Sequence, residues 1–249
     1  MARNRPSSSE RSDVRLDVPD VRIASMSKLP PAMRRAPLRK RVLIRSPAVR
    51  AELIRPGDAV ALVLLVDGAG SGHPGTHAGA VTDVLQSHHL ATLRFDDGGA
   101  ASQPAHRRAD GAGELAERVD RMVAWAVARD ELVGLNLGIL GGPAGAQAAF
   151  SVAVQRPGDV GALVVYGAGS QWGGESLARV QAPTLLIVGG RDLEAVKANQ
   201  ASLARLADRR RLEVVPEATR HFEEPGALVT MAHLAGAWFE THLAMARPR

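Results

Sequence analysis

An α/β fold with a mainly parallel sheet and helices on both faces is predicted by three observations. From residue 40 onward, short apolar runs alternate with stretches of helical periodicity. The longest apolar run, Ala59–Val66, is unbroken, as in a strand buried on both faces. Glycine- and proline-rich turns separate the runs and leave room for crossover helices.

Taken in order, Val42–Arg45 and Val49–Ile54 read as short strands of an edge hairpin, followed by a turn at Pro56-Gly57-Asp58. The strand Ala59–Val66 leads into the glycine-rich loop Gly68–Gly75 and a helix over Thr76–His89. Leu90–Phe95 is the next strand, and 97–112 a long polar loop. Leu115, Val119, Met122, Val123 and Trp125 give Glu114–Leu132 a helical stripe. Strands are expected at Val133–Leu140, Val160–Tyr166, Pro183–Val188 and Arg211–Val215. Helices are expected at Pro143–Val154, Leu193–Leu206 and Ala227–Leu243, with Gly167–Val180 as a loop carrying Trp172. The domain is therefore expected over 39–249, behind a basic, disordered tail at 1–38.

Composition excludes several classes. Of 249 residues, 45% are hydrophobic and 23% charged, as in ordinary globular proteins and unlike fibrous or wholly disordered chains. No apolar run approaches the roughly 20 residues of a membrane helix. There is no cysteine, which removes disulfides, thiolate catalysis and thiolate-bound metals. The net charge of +5 is uneven: residues 1–50 carry 13 Lys and Arg against four acids, the other 199 carry 18 against 22. The run Arg34–Arg45 is read as solvated, with a weak anionic partner as the alternative. No apolar segment of signal-peptide type follows Arg34-Arg35, so the chain is read as cytoplasmic.

In such sheets, ligands sit beyond the carboxyl ends of the strands. Four loops there matter: Asp67–Gly75, Gly141–Gly145, Gly189–Asp192 and Pro216–Phe222. Together with the segments Ala61–Gly72, Ala91–Asp96 and Gly138–Phe150, the stretch Ala182–Asp192 (APTLLIVGGRD) and Val214–Leu228 carry a resemblance. Over roughly 40–245 the chain resembles the α/β-hydrolase superfamily, in its small dienelactone-hydrolase-like branch without a large lid.

That resemblance implies a Ser, Asp, His order, with the serine on a G-x-S-x-G turn between strand and helix. Asp192 matches the acid. The turn reads Gly141-Gly142-Pro143-Ala144-Gly145, with Pro143 where the nucleophile stands. Proline has no atom to attack with, and its φ is locked near −65°. The bland reading of Pro143 is the first residue of its helix, where its missing N–H costs nothing. The family's histidine loop appears as Pro216-Glu217-Ala218-Thr219-Arg220, placing Arg220 at the histidine and His221 one residue beyond. The His-Gly-x-Gly loop appears as Asp67-Gly68-Ala69-Gly70, with a negative charge where an oxyanion would form.

The resulting expectation is a degenerate hydrolase homologue that binds a small molecule or a protein through Asp67, Gly68, Ala69, Gly142, Pro143, Ala144, Trp172 and Arg220. The alternative is an ester or lactone hydrolase that uses Asp192 and His221 with an unusual nucleophile; Ser71, Ser102 and Ser170 are the loop serines available. A third reading takes Gly70–Gly75, which fits G-x-G-x-x-G, with Asp96 as a nucleotide site. No cofactor and no metal are expected. His88 and His89 are neighbours that point apart, and Pro74-Gly75 separate His73 from His77.

Overall fold

The structure is a computed structural model and describes residues 36–44, 49–66, 76–95, 112–169, 174–206 and 208–244. One eight-stranded sheet runs in the order β1-β2-β4-β3-β5-β6-β7-β8. Its strands are β1 (Leu38–Ile44), β2 (Val49–Arg55), β3 (Ala61–Val66), β4 (Leu90–Phe95), β5 (Asn136–Gly141), β6 (Val160–Tyr166), β7 (Thr184–Gly189) and β8 (Arg210–Val215). β1 pairs with β2 and β2 with β4 antiparallel; every other pairing is parallel.

β3 and β7 are buried at every position, as their unbroken apolar runs require when helices cover both faces. The helices are α1 (Thr76–Ser87), α2 (Ala112–Val127), α3 (Ala146–Gln155), α4 (Leu193–Leu203) and α5 (Ala227–Leu243). On one face α2 and α3 bury Val119, Met122, Val123, Ala149 and Phe150 against the sheet. On the other, α1 and α5 bury Val81, Leu85, Met231, Ala235 and Phe239. α5 approaches the sheet closely: a Cβ on Gly138 of β5 would lie 2.6 Å from the Phe239 ring.

The turn directly after α1 is also tied to α5 by polar contacts. His88 Nδ1 lies 2.9 Å from Glu240 Oε2, and its Nε2 lies 3.0 Å from His233 Nδ1. The imidazole fits because residue 236 is glycine; a Cβ there would lie 2.5 Å from the ring.

Several expected boundaries shift. β1 starts at Leu38 and takes in Arg39, Lys40 and Arg41, which the sequence reading placed in a solvated basic run. Arg39 and Arg94 flank Glu52, which is 6% exposed, at 3.0 and 2.6 Å. Burial alone would raise the Glu52 carboxyl, but these hydrogen bonds outweigh it and hold it below its ordinary value. Lys40 pairs with Glu131. The expected helix 114–132 ends at Val127, and a 3₁₀ turn, Asp130–Leu132, follows. A second 3₁₀ turn, Gly174–Arg179, lies within the expected loop 167–180. α1 stops at Ser87, and His89 adopts a left-handed conformation with φ 54° and pairs with Asp58 at 2.6 Å. The expected helix from Pro143 starts three residues later, at Ala146. The tail at 1–35 lies outside the described residues.

Two predictions follow from the α1–α5 side. Glycine to alanine inside a helix ordinarily gains about 1 kcal/mol. Gly236→Ala should instead lose about 1–3 kcal/mol in urea unfolding, because the new methyl must displace the His88 ring. A stabilised variant would refute the slot. His242, packed 4.1 Å from Trp238 between ring centroids, is held below its ordinary pKa chiefly by burial and secondarily by Arg209. The unfolded chain therefore takes up this proton at higher pH than the folded one. Stability contributed by neutral His242 is present above about pH 6.5 and falls as the pH drops below it. His242→Gln should flatten the loss measured between about pH 7 and pH 5.

Candidate functional site

The carboxyl ends of β5, β6 and β7 and the loop after β8 converge at one edge of the sheet. After β5, the Gly142 N–H donates to the Val66 carbonyl at 2.9 Å, tying the turn to the end of β3. The Gly142 carbonyl accepts from Gly145 and Ala146, both at 2.9 Å. Pro143 thus sits at the second position of a turn that runs into α3, where its fixed φ is favourable. Glycine is required at both ends. A Cβ on Gly141 would lie 2.9 Å from the Ala149 Cβ, and one on Gly145 would lie 2.1 Å from the Val66 oxygen. No residue from 141 to 145 has a positive φ. The turn is therefore free of left-handed backbone, and Pro143 sits in it without strain.

β6 ends at Tyr166, and Gly167 turns the chain at φ 59°. A Cβ on Gly167 would lie 2.4 Å from the Arg220 carbonyl oxygen and 2.9 Å from Pro143 Cγ. Gly167 is therefore the point where the two altered motifs meet. The Arg220 side chain lies along the same strip. Its Nε donates to the Gly167 carbonyl at 3.2 Å, and its Nη2 would be 2.9 Å from a Cβ on Gly169.

The loop carrying Arg220 is held at several points. Gly189 at the end of β7 is bare because a Cβ would meet the Ala218 and Thr219 carbonyls at 2.4 Å. Glu217 and Phe222 both take left-handed backbone, at φ 62° and 56°. This is uncommon for residues with side chains and is held here by surrounding contacts. Phe222 is buried and meets the Tyr166 ring edge-on at 5.7 Å. Glu217 and Glu224 of this loop each have a defined partner. Glu217 accepts from Arg191 at 2.6 Å and raises that guanidinium's pKa. The Glu224 carboxylate accepts from the Thr219 N–H at 3.0 Å, the main reason its pKa lies below the ordinary value. Among the described residues, the two Nη groups of Arg220 have no hydrogen-bond or ion-pair partner.

Asp192 stands at the N-terminus of α4, where its Oδ1 accepts from the Ala195 N–H at 2.9 Å. Its backbone N–H reaches the Gly189 carbonyl at 3.2 Å, so it neighbours the Arg220 loop. His221 is exposed. The structure therefore brings together Gly142, Pro143 and Arg220, with exposed Ala144 in the turn. Asp67, Gly68, Ala69 and Trp172 lie outside the described residues, as do Ser71, Ser102, Ser170, Asp96 and the loop Gly70–Gly75. Among the described residues no group of three His, Cys, Asp or Glu could hold a metal. Nor is any helix among them long and apolar enough to cross a membrane. Gly167 and Gly169 escaped the sequence reading. The available signal was the pair of glycines straddling Ala168 directly after a strand.

The comparisons agree with this architecture. No family model matches the chain. Two Mycobacterium tuberculosis proteins, each named "Putative phosphoribosyl transferase", are 35% identical over 195 residues. The match covers 78% of this chain and 44% of each of theirs, so the chain spans less than half the length of the curated relatives it matches. The esterase domain of a Rhodothermus marinus protein shares the fold, with a TM-score of 0.66 and 16% identity over 82% of this chain and 99% of that one. The dienelactone hydrolase of Anabaena variabilis is 30% identical, with a TM-score of 0.73; the match covers 84% of this chain and all of that one. The chain belongs to the dienelactone-hydrolase branch of the α/β-hydrolase superfamily.

Proposed function

We propose that this chain is a non-hydrolytic member of its family, a small-molecule binding protein whose ligand lies over Pro143 and Arg220. One observation carries the reading: Pro143 Cγ and the Arg220 backbone both close on Gly167, at the places where the family holds nucleophile and base. Proline offers no nucleophilic atom. Arginine stays protonated in proteins and cannot accept the proton that a serine would release. What remains is an apolar ring beside a fixed cation, an arrangement for holding a ligand. Asp67, Gly68 and Ala69, with Gly142, Ala144 and Trp172, complete the proposed binding surface. The same reading makes Asp192 a helix cap.

The second reading, hydrolysis through Asp192 and His221, rests on His221 lying next to the histidine position. Against it stand the capping bond of Asp192 and the lack of a nucleophile on the β5–α3 turn. The relatives' transferase name is attached to chains more than twice the matched length. The hydrolase fold is accounted for by the matched part alone, since a dienelactone hydrolase is covered over its whole length. We read the transferase name as describing the remainder of those proteins.

Wild type should show no turnover of p-nitrophenyl acetate above buffer and no labelling by a fluorophosphonate probe. Pro143→Ser alone should stay inactive, because Arg220 supplies no base. Pro143→Ser with Arg220→His is the smallest change expected to yield measurable activity. Wild-type turnover abolished by His221→Ala would establish the second reading instead. Asp192 offers a separate check by thermal or urea unfolding. Asp192→Ala should cost about 1 kcal/mol of stability, whereas Asp192→Asn, an equally good cap, should cost little.

A further inference from the structure

We infer that His88 and His233 form a two-histidine binding site for a divalent transition-metal ion of the zinc type, with Glu240 orienting the ring of His88. The site lies apart from Pro143 and Arg220 and does not depend on the function proposed for them. His88 stands just before β4, at the amino ends of the parallel strands, whereas Pro143 and Arg220 follow carboxyl ends.

The ring nitrogens carry the argument. His88 Nδ1 lies 2.9 Å from Glu240 Oε2. A carboxylate can only accept, so Nδ1 holds the proton, and in the neutral ring the lone pair is on Nε2. That nitrogen lies 3.0 Å from His233 Nδ1. Without a metal, the His233 Nδ1–H donates to it. His233 is exposed, so its proton exchanges with water and can move to the other ring nitrogen. Two lone pairs then converge. A zinc ion at about 2.0–2.1 Å from each of two nitrogens, at the tetrahedral angle, holds them about 3.3 Å apart. The observed spacing is close to that, and the exposed ring of His233 supplies the small opening. The rings meet edge-on, with centroids 5.3 Å apart and planes at 63°, so the nitrogens approach without the rings stacking.

The surroundings hold the first ligand in place. Metal-bound histidines characteristically donate their other N–H to a carboxylate, which fixes the tautomer and raises the basicity of the ligating nitrogen. Glu240 does this for His88. Glycine at 236 leaves the slot in which the ring sits, since a Cβ there would lie 2.5 Å from it. His233, Gly236 and Glu240 share one face of α5 by their helical spacing. The donor type selects the ion. Imidazole suits zinc, copper and nickel, whereas magnesium and calcium take oxygen ligands. Among the described residues no third His, Cys, Asp or Glu completes the set, so water fills the remaining positions. Affinity is then in the micromolar range, well below that of a closed four-ligand site. The two histidines are 145 residues apart in sequence, so only the folded chain presents them together. A bound ion therefore ties the turn after α1 to α5 and stabilises the fold.

The test uses the full chain after treatment with a chelator, with zinc chloride as the probe and magnesium chloride as the counter-probe, read by titration calorimetry and by Tm. Zinc should bind saturably and raise Tm; magnesium should do neither. His233→Gln, at the exposed member of the pair, should weaken zinc binding at least about tenfold and remove the rise in Tm. His88→Gln should do the same, and if that variant fails to fold, His233→Gln still decides. Glu240→Ala keeps both ligands but frees the His88 ring, so it should weaken zinc by about tenfold. His89→Gln, next to His88 in sequence but paired with Asp58, should bind zinc like wild type. Four results would overturn the inference: no saturable zinc binding by wild type, zinc affinity unchanged in His233→Gln, a loss in His89→Gln as large as in His233→Gln, or magnesium bound as tightly as zinc. The other six histidines remain in both ligand variants, so zinc held elsewhere on the chain would survive there and count against the assignment.

Discussion

The carbonyl oxygen of Val66, at the last residue of β3, accepts the Gly142 N–H and leaves no space for a side chain on Gly145. That single oxygen fixes the end of β3, the turn after β5 and the direction in which α3 departs. Gly141 adds a second limit by letting Ala149 of α3 pack against the end of β5. The glycines of the G-x-S-x-G pattern therefore meet a packing requirement that is independent of the residue between them. This explains how the turn keeps its place in the sheet with a proline at its centre. The demand on the backbone is met by Gly141 and Gly145, and the middle residue is free of it.

The same separation holds for the other loops of the site. Gly189 and Gly167 are bare because carbonyls of the 218–220 segment lie against them. Asp192 has a structural duty that would exist without any reaction, since α4 must start with an acceptor for its free N–H groups. The framework of a triad can thus persist as architecture. What distinguishes this chain lies in two side chains placed on that framework, a ring at 143 and a cation at 220.

Most of the fold was legible because its strands are short apolar runs and its helices carry a 3.6-residue stripe. The bounds of β4, β6 and α5 agree with the reading residue for residue. The misreadings have physical causes. The first half of β1 reads as a basic run because Arg39, Lys40 and Arg41 are cationic; two of them are neutralised by Glu52 and Glu131, partners distant in sequence. Helical periodicity through Leu132 hid the break after Val127, since a 3₁₀ turn also buries its leucine. At the site, Pro143, Asp192 and Arg220 could be placed because each follows a recognisable strand. The bed of Arg220 could not, because Gly167 and Gly169 lie some fifty residues upstream and local pattern carries no sign of that contact.

The strand order has a consequence for the chain as it is made. β3 lies between β4 and β5, and β2 skips it to pair with β4. During synthesis the wholly apolar segment 61–66 therefore emerges well before either of its neighbours, 90–95 and 136–141. One edge of the most water-averse strand in the sheet stays open until more than seventy further residues have been added. Non-local parallel pairing of this kind is slow and leaves sticky edges exposed on the way. The nascent protein should therefore depend on shielding by the ribosome surface or by chaperones until β5 arrives, a dependence set by topology and indifferent to whatever the finished site binds.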